Sequence, residues 1–122
     1  MRFLLFPTAI CAALSYSSVE ARPPYAHKMY ATYEAFGKKH GDAEKKRVTC
    51  AVCHVKNGAR TNTKQRNNYG AAVAKGLKKK NDTANIVAAI KAAASMKSAT
   101  EGKTFGDLIS DLKMPGTNEP AK

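Results

Sequence analysis

The sequence predicts an all-α fold of four or five short helices, and three observations point there. Apolar residues recur three and four positions apart wherever they cluster. No stretch alternates apolar and polar residues with the period of two that marks a half-buried strand. Nothing repeats at the fixed interval of a solenoid or propeller. The 122-residue chain is 43% hydrophobic and 25% charged, proportions that suit one small globular domain and exclude a disordered chain or a membrane bundle.

The first segment stands outside this fold. Arg2 precedes an apolar run over residues 3–14, and Val19-Glu20-Ala21 places small residues where a signal peptidase reads them. Residues 1–21 are therefore expected to be a secretory signal, and residues 22–122 a single domain. The run is too short to span a bilayer and is interrupted by Pro7. An uncleaved anchor or a buried helix is the alternative. Cys11 lies in this segment, after Thr8-Ala9-Ile10, which is not a lipoprotein cleavage box. Losing the segment removes Arg2 and Glu20 together, so the formal net charge stays at +12.

The elements follow in order. Pro23-Pro24 suits a helix start, and Tyr25, Met29, Tyr33 and Phe36 recur at helical spacing, which predicts a helix over 25–40 ended by the Gly37 to Gly41 region. Asp42 is expected to cap a short second helix through Ala43 to Val48. Residues 55–66, polar and without periodicity, read as a loop. Asn68 is expected to cap a helix carrying Tyr69, Val73 and Leu77, closed by Lys78 to Lys80 at its negative end. Ile86, Ile90, Ala93 and Met96 form the apolar stripe of a helix within 83–97. Thr104 is expected to cap a last helix with Phe105, Leu108, Ile109 and Leu112 on one face. Met114-Pro115-Gly116 stops it, and the tail to Lys122 reads as frayed.

The string with the most chemistry in it is Cys50-Ala51-Val52-Cys53-His54. Two cysteines three apart on one turn of helix face the same way and can both form thioethers to a planar macrocycle. The adjacent histidine then aims a ring nitrogen at the metal from the same side. This spacing marks haem attachment in a chain that reaches an oxidising compartment, which the N-terminal segment supplies. Three other uses of the pair compete less well. A disulfide between Cys50 and Cys53 closes too small a loop to stabilise much. A thioredoxin-like pair needs a β-α-β frame. A zinc site needs a second pair of ligands at a suitable spacing, and only His27 and His40 remain.

On these residues, with Asn68-Tyr69-Gly70 and Thr104-Phe105-Gly106-Asp107-Leu108, the chain resembles the small exported bacterial monohaem c-type cytochromes. The resemblance covers roughly residues 25–116, and its specific part is the attachment motif. It implies a cytochrome-c-like bundle around one covalently attached haem c, with Cys50 and Cys53 as thioether residues, His54 as proximal iron ligand, and periplasmic electron transfer without enzymatic turnover.

The ligand opposite His54 sets the chemistry of such a site, since methionine raises the potential, histidine lowers it and an open position permits ligand binding. Met114, beside a proline and sixty residues after His54, and Met96, 42 residues after it, are the candidates. His27 and His40 are the histidine alternatives. Met29 reads as packing with Tyr33 and Phe36. Tyr69 has two readings, a reach to a haem propionate or packing with Val73 and Leu77. An open sixth position, with Arg60 or Arg66 over it, would instead make an enzyme or a ligand sensor.

A net charge of +12 steers a small domain towards acidic partners and makes the encounter salt-sensitive. Lys38, Lys39, Lys45, Lys46, Arg47 and Lys56 flank the motif and are expected to ring an exposed haem edge. The partners expected are acidic redox proteins meeting a monomer. Export and the lack of a binding motif exclude nucleic acid, while lysines leave peripheral contact with anionic lipid open. Without haem the chain would reduce to a basic binding module.

Overall fold

The computed structural model describes residues 24–122; the expected signal segment, with Cys11, lies outside them. Among the described residues no helix is long and apolar enough to cross a membrane. Five short helices are present: α1 (Pro24–Thr32), α2 (Glu34–Lys39), α3 (Asn68–Ala74), α4 (Ile86–Ala94) and α5 (Phe105–Ser110). Two small antiparallel sheets join them, one of β1 (Gly41–Asp42) with β2 (Arg47–Val48), the other of β3 (His54–Asn57) with β4 (Arg60–Arg66). The fold is mixed, 40% helical and 17% strand, and the all-α bundle is corrected accordingly.

Both strand pairs stand where a helix or a loop was expected. Asp42 does cap a turn, its Oδ1 accepting from the Lys45 N–H at 2.9 Å. That turn stops at Lys46, whose φ of 48° is left-handed, and the chain returns as β2 instead of continuing as a helix. The register pairs Gly41 with Val48. A Cβ at Gly41 would collide with the Arg47 carbonyl oxygen, so only glycine allows so close a return. The supposed loop 55–66 is a hairpin. Asn57 pairs with Arg60 across Gly58-Ala59, and Gly58 takes φ 61°, as two-residue hairpin turns require of their first central residue. Periodicity misses this hairpin because Val55 is its only buried side chain.

The helix expected over 25–40 is broken at Tyr33, which has φ −132° and ψ 71°. The break lays Gly37 against the Tyr30 ring, too close to admit a Cβ. Asn67 caps α3, one residue before the position expected, accepting from the Gly70 N–H at 2.9 Å. Thr104 caps α5 in a reciprocal capping box with Asp107. A single core joins Met29, Tyr30 and Phe36 to Val48 and Val52, to Tyr69 and Val73, and to Ile86, Ile90 and Phe105. The tail is not frayed. Pro115 is fully buried, the Thr117 N–H donates to Asn68 Oδ1 at 2.8 Å, and the Ala121 N–H donates to the Arg66 carbonyl at 2.9 Å.

Candidate functional site

The motif begins where β2 ends. Cys50–Val52 form a 3-10 turn, with the Val52 N–H donating to the Thr49 carbonyl and the Cys53 N–H to the Cys50 carbonyl, both at 3.2 Å. Residues three apart in such a turn fall near one side of it, so a 3-10 turn is compatible with presenting Cys50 and Cys53 together although it is not α-helical. Val52, fully buried, pins it to the core.

The two thiols are free, Cys50 exposed and Cys53 half-buried. Burial pushes the Cys53 thiol up to about 12, the nearby Cys50 adds to the rise, and the Arg66 cation opposes it. A thiol held neutral in this way is a poor redox nucleophile. The described strands form only antiparallel hairpins, which is not the frame of a thioredoxin-like pair. Among the described residues no three His, Cys, Asp or Glu side chains group as a metal site.

His54 opens β3, its ring Nδ1 3.2 Å from the Gln65 carbonyl oxygen on β4. A carbonyl can only accept, so Nδ1 is the donor in this contact and Nε2 is the ring nitrogen that could face a metal. His54 lines a cleft of about 540 Å³ together with Lys64, Gln65 and Arg66 from β4, Ala71 from α3, and Ala121 of the tail. A second cleft of about 700 Å³ shares Ala71 and Ala121 with the first and is lined by Met96 and Phe105. Two thiols spaced three positions apart on a tight turn and a histidine anchored at Nδ1 by a backbone carbonyl are compatible with a covalently attached haem.

Asn67 holds this arrangement together. It is 1% exposed, and while its oxygen caps α3, its Nδ2 donates to the Val52 carbonyl at 3.1 Å and weakly to that of Ala51 at 3.4 Å. One amide thus ties the cysteine turn to the start of α3. The helix comes so close that a Cβ on Gly70 would collide with the Cys53 carbonyl. Gly116 of the tail closes over the same amide.

The remaining candidates are dispersed. Met96 lines the second cleft, and Met114 is half-buried against the core. His27 Nδ1 lies 3.0 Å from the Lys46 carbonyl, and His40 Nε2 lies 2.8 Å from that of Leu112. Tyr69 is fully buried, edge-on to Phe105, and its hydroxyl donates to Met29 Sδ at 3.4 Å. Arg66 lines the His54 cleft, and Arg60 flanks the hairpin turn. Of the lysines before the motif, Lys38 pairs with Glu34 at 2.7 Å and Lys45 with Asp42 at 3.5 Å.

Sequence reasoning passed over Asn67, Gln65 and Asn118. Asn67 was legible as the first of two asparagines before a helix. Gln65 acts through its backbone carbonyl, which no side-chain pattern reveals. Asn118 accepts from the Lys56 N–H at 2.6 Å and donates to the Lys56 carbonyl at 3.0 Å, a contact that spans sixty-two positions of the chain. No family model, curated protein or solved structure matches this chain.

Proposed function

We propose that this protein is an exported single-haem c-type cytochrome that carries electrons between acidic partner proteins. The observation that supports the reading is the 3-10 turn that spaces Cys50 and Cys53 three positions apart, followed at once by His54 with its Nδ1 against the Gln65 carbonyl. Cys50 and Cys53 would hold the haem through thioethers, and His54 Nε2 would ligate its iron. When bound, the group supplies an iron that gains or loses one electron without a change of ligands. The chain's part is positional. Gln65 would orient the imidazole through its backbone carbonyl, and Asn67 would keep the cysteine turn from shifting against α3. Met96 or Met114 would supply the second iron ligand.

A second reading rests on Arg66, which lines the His54 cleft. An arginine above an open iron position would favour a haem enzyme or a ligand sensor.

Expression with a cytochrome c maturation system, followed by visible spectra, separates the readings. Covalent haem with a low-spin spectrum unmoved by carbon monoxide is the expected result for the carrier, with a weak red band in the oxidised form if methionine is the sixth ligand. Ready carbon monoxide binding would move the assignment to the enzyme or sensor. Absence of covalent haem would sink both.

A further inference from the structure

From Lys46 to Asn81 the sequence holds ten lysines and arginines and no aspartate or glutamate. The β3–β4 hairpin lies in the middle of this stretch. Its outer positions Lys56, Arg60, Lys64 and Arg66 are all exposed, and its first residue is His54, paired across the strands with Arg66. Elsewhere the surface is different. Lys38, Lys45 and Lys103 each sit beside a carboxylate, of Glu34, Asp42 and Asp111, which cancels much of their field. The cations flanking the motif on its N-terminal side are therefore partly neutralised, while those of the hairpin have no carboxylate in their own stretch of chain.

The hairpin is also held in place. A lone two-stranded hairpin is marginal in water, and this one buries only Val55. The tail braces it on both strands, through the two bonds of Asn118 to Lys56 and through the Ala121 N–H on the Arg66 carbonyl. A braced ribbon keeps its charges in fixed positions, so a partner binding it loses little entropy in ordering the ribbon.

We propose that the β3–β4 hairpin is the docking surface for an acidic redox protein, with Lys56, Arg60 and Lys64 as its principal contacts. This inference rests on the electron-carrier reading and adds the place of docking to it. The strand pair that carries the proposed iron ligand also carries this concentration of positive charge. A carboxylate-rich partner drawn to the hairpin therefore arrives at the edge of the His54 cleft, which Lys64 and Arg66 line. Long-range attraction of this kind raises encounter rates and is screened within about 10 Å at 0.1 M salt.

The test compares two variants of equal charge, Lys56→Gln/Arg60→Gln/Lys64→Gln and Lys78→Gln/Lys79→Gln/Lys80→Gln. The second set lies beyond the far end of α3. The reduced, haem-loaded protein is oxidised by hexacyanoferrate(III), an anionic reagent that takes one electron from the iron, at rising ionic strength. The hairpin variant should slow the low-salt rate by about tenfold and the Lys78–Lys80 variant by less than about twofold, with all three proteins converging at high salt. Equal slowing by both variants, or by neither, would overturn the docking assignment. If the protein attaches no haem, the carrier reading fails first, and docking is read instead from amide shifts on titration with polyglutamate. Shifts confined to residues 55–66 and lost in high salt support the surface; shifts centred on Lys78–Lys80 or spread over the whole molecule refute it.

Discussion

Asn67 shows how much one side chain can coordinate. Its oxygen satisfies a helix N–H, its nitrogen satisfies a carbonyl of the cysteine turn, and it is almost fully buried. Replacing it with alanine strips a cap and leaves buried partners unpaired, each change costing about 1–2 kcal/mol. Asn67→Ala should lower stability by about 2–3 kcal/mol, seen as a fall in the urea midpoint at unchanged slope; a change below about 0.5 kcal/mol would refute the role. Cys53 makes a different prediction. Its thiol is raised from 9.0 to about 12 in the folded state, so the folded state favours the protonated form. The associated stability is fully present below 9.0 and lost as pH rises towards about 12. Haem-free protein should therefore weaken over that alkaline window, and Cys53→Ser should flatten the loss. Burial pushes the Tyr69 hydroxyl up as well, in the same sense, so a residual slope is expected in the variant.

At the scale of elements, the three later helices were largely legible, the first two were expected as one unbroken helix, and neither hairpin was read. Tyr69 and Val73 on α3, Ile86, Ile90 and Ala93 on α4, and Phe105, Leu108 and Ile109 on α5 are all buried, as their spacing implied. A helix with one buried face writes that face into its sequence. The β3–β4 hairpin buries a single side chain, so it leaves no alternation to read, and only the Asn57-Gly58 step marks its turn. What stabilises it lies more than fifty residues further along, in Asn118. Asn118→Ala removes both bonds to Lys56, worth about 1 kcal/mol together at an exposed site. The expected outcome is amide exchange faster by about fivefold across residues 55–62, with α4 unaffected; equal acceleration in α4 would mean global destabilisation instead.

At the scale of the whole molecule, the domain is basic and its four aspartates are tied to structure. Asp107 is held below the usual aspartate range by the Thr104 N–H and hydroxyl, and Asp82 by the Lys78 N–H and the Asn85 amide. Asp42 is lowered by the Lys45 N–H, and Asp111 by the Lys103 ammonium. Carboxylates depressed on folding contribute stability above their ordinary value of 3.8, and that contribution disappears as pH falls through their folded values. Protonation also adds to a net charge already at +12, which raises self-repulsion. Acid unfolding of the haem-free protein, followed by far-ultraviolet circular dichroism, should therefore begin below about pH 4. A transition that begins well above about pH 4 would refute this account.

The sequence by itself determined the motif Cys50 to His54, the large positive charge, the amphipathic faces of the later helices and the Thr104 cap. Each of these is written in neighbouring residues, because a turn, a cap or a helical stripe is a matter of spacing over a few positions. Only the tertiary structure decided that Asp42 caps a single turn before β2, that residues 55–66 pair as strands, and that the tail closes over Asn67 and braces the hairpin. Those outcomes depend on groups brought together from distant parts of the chain, often through backbone atoms that every residue shares, and local spacing carries no record of them.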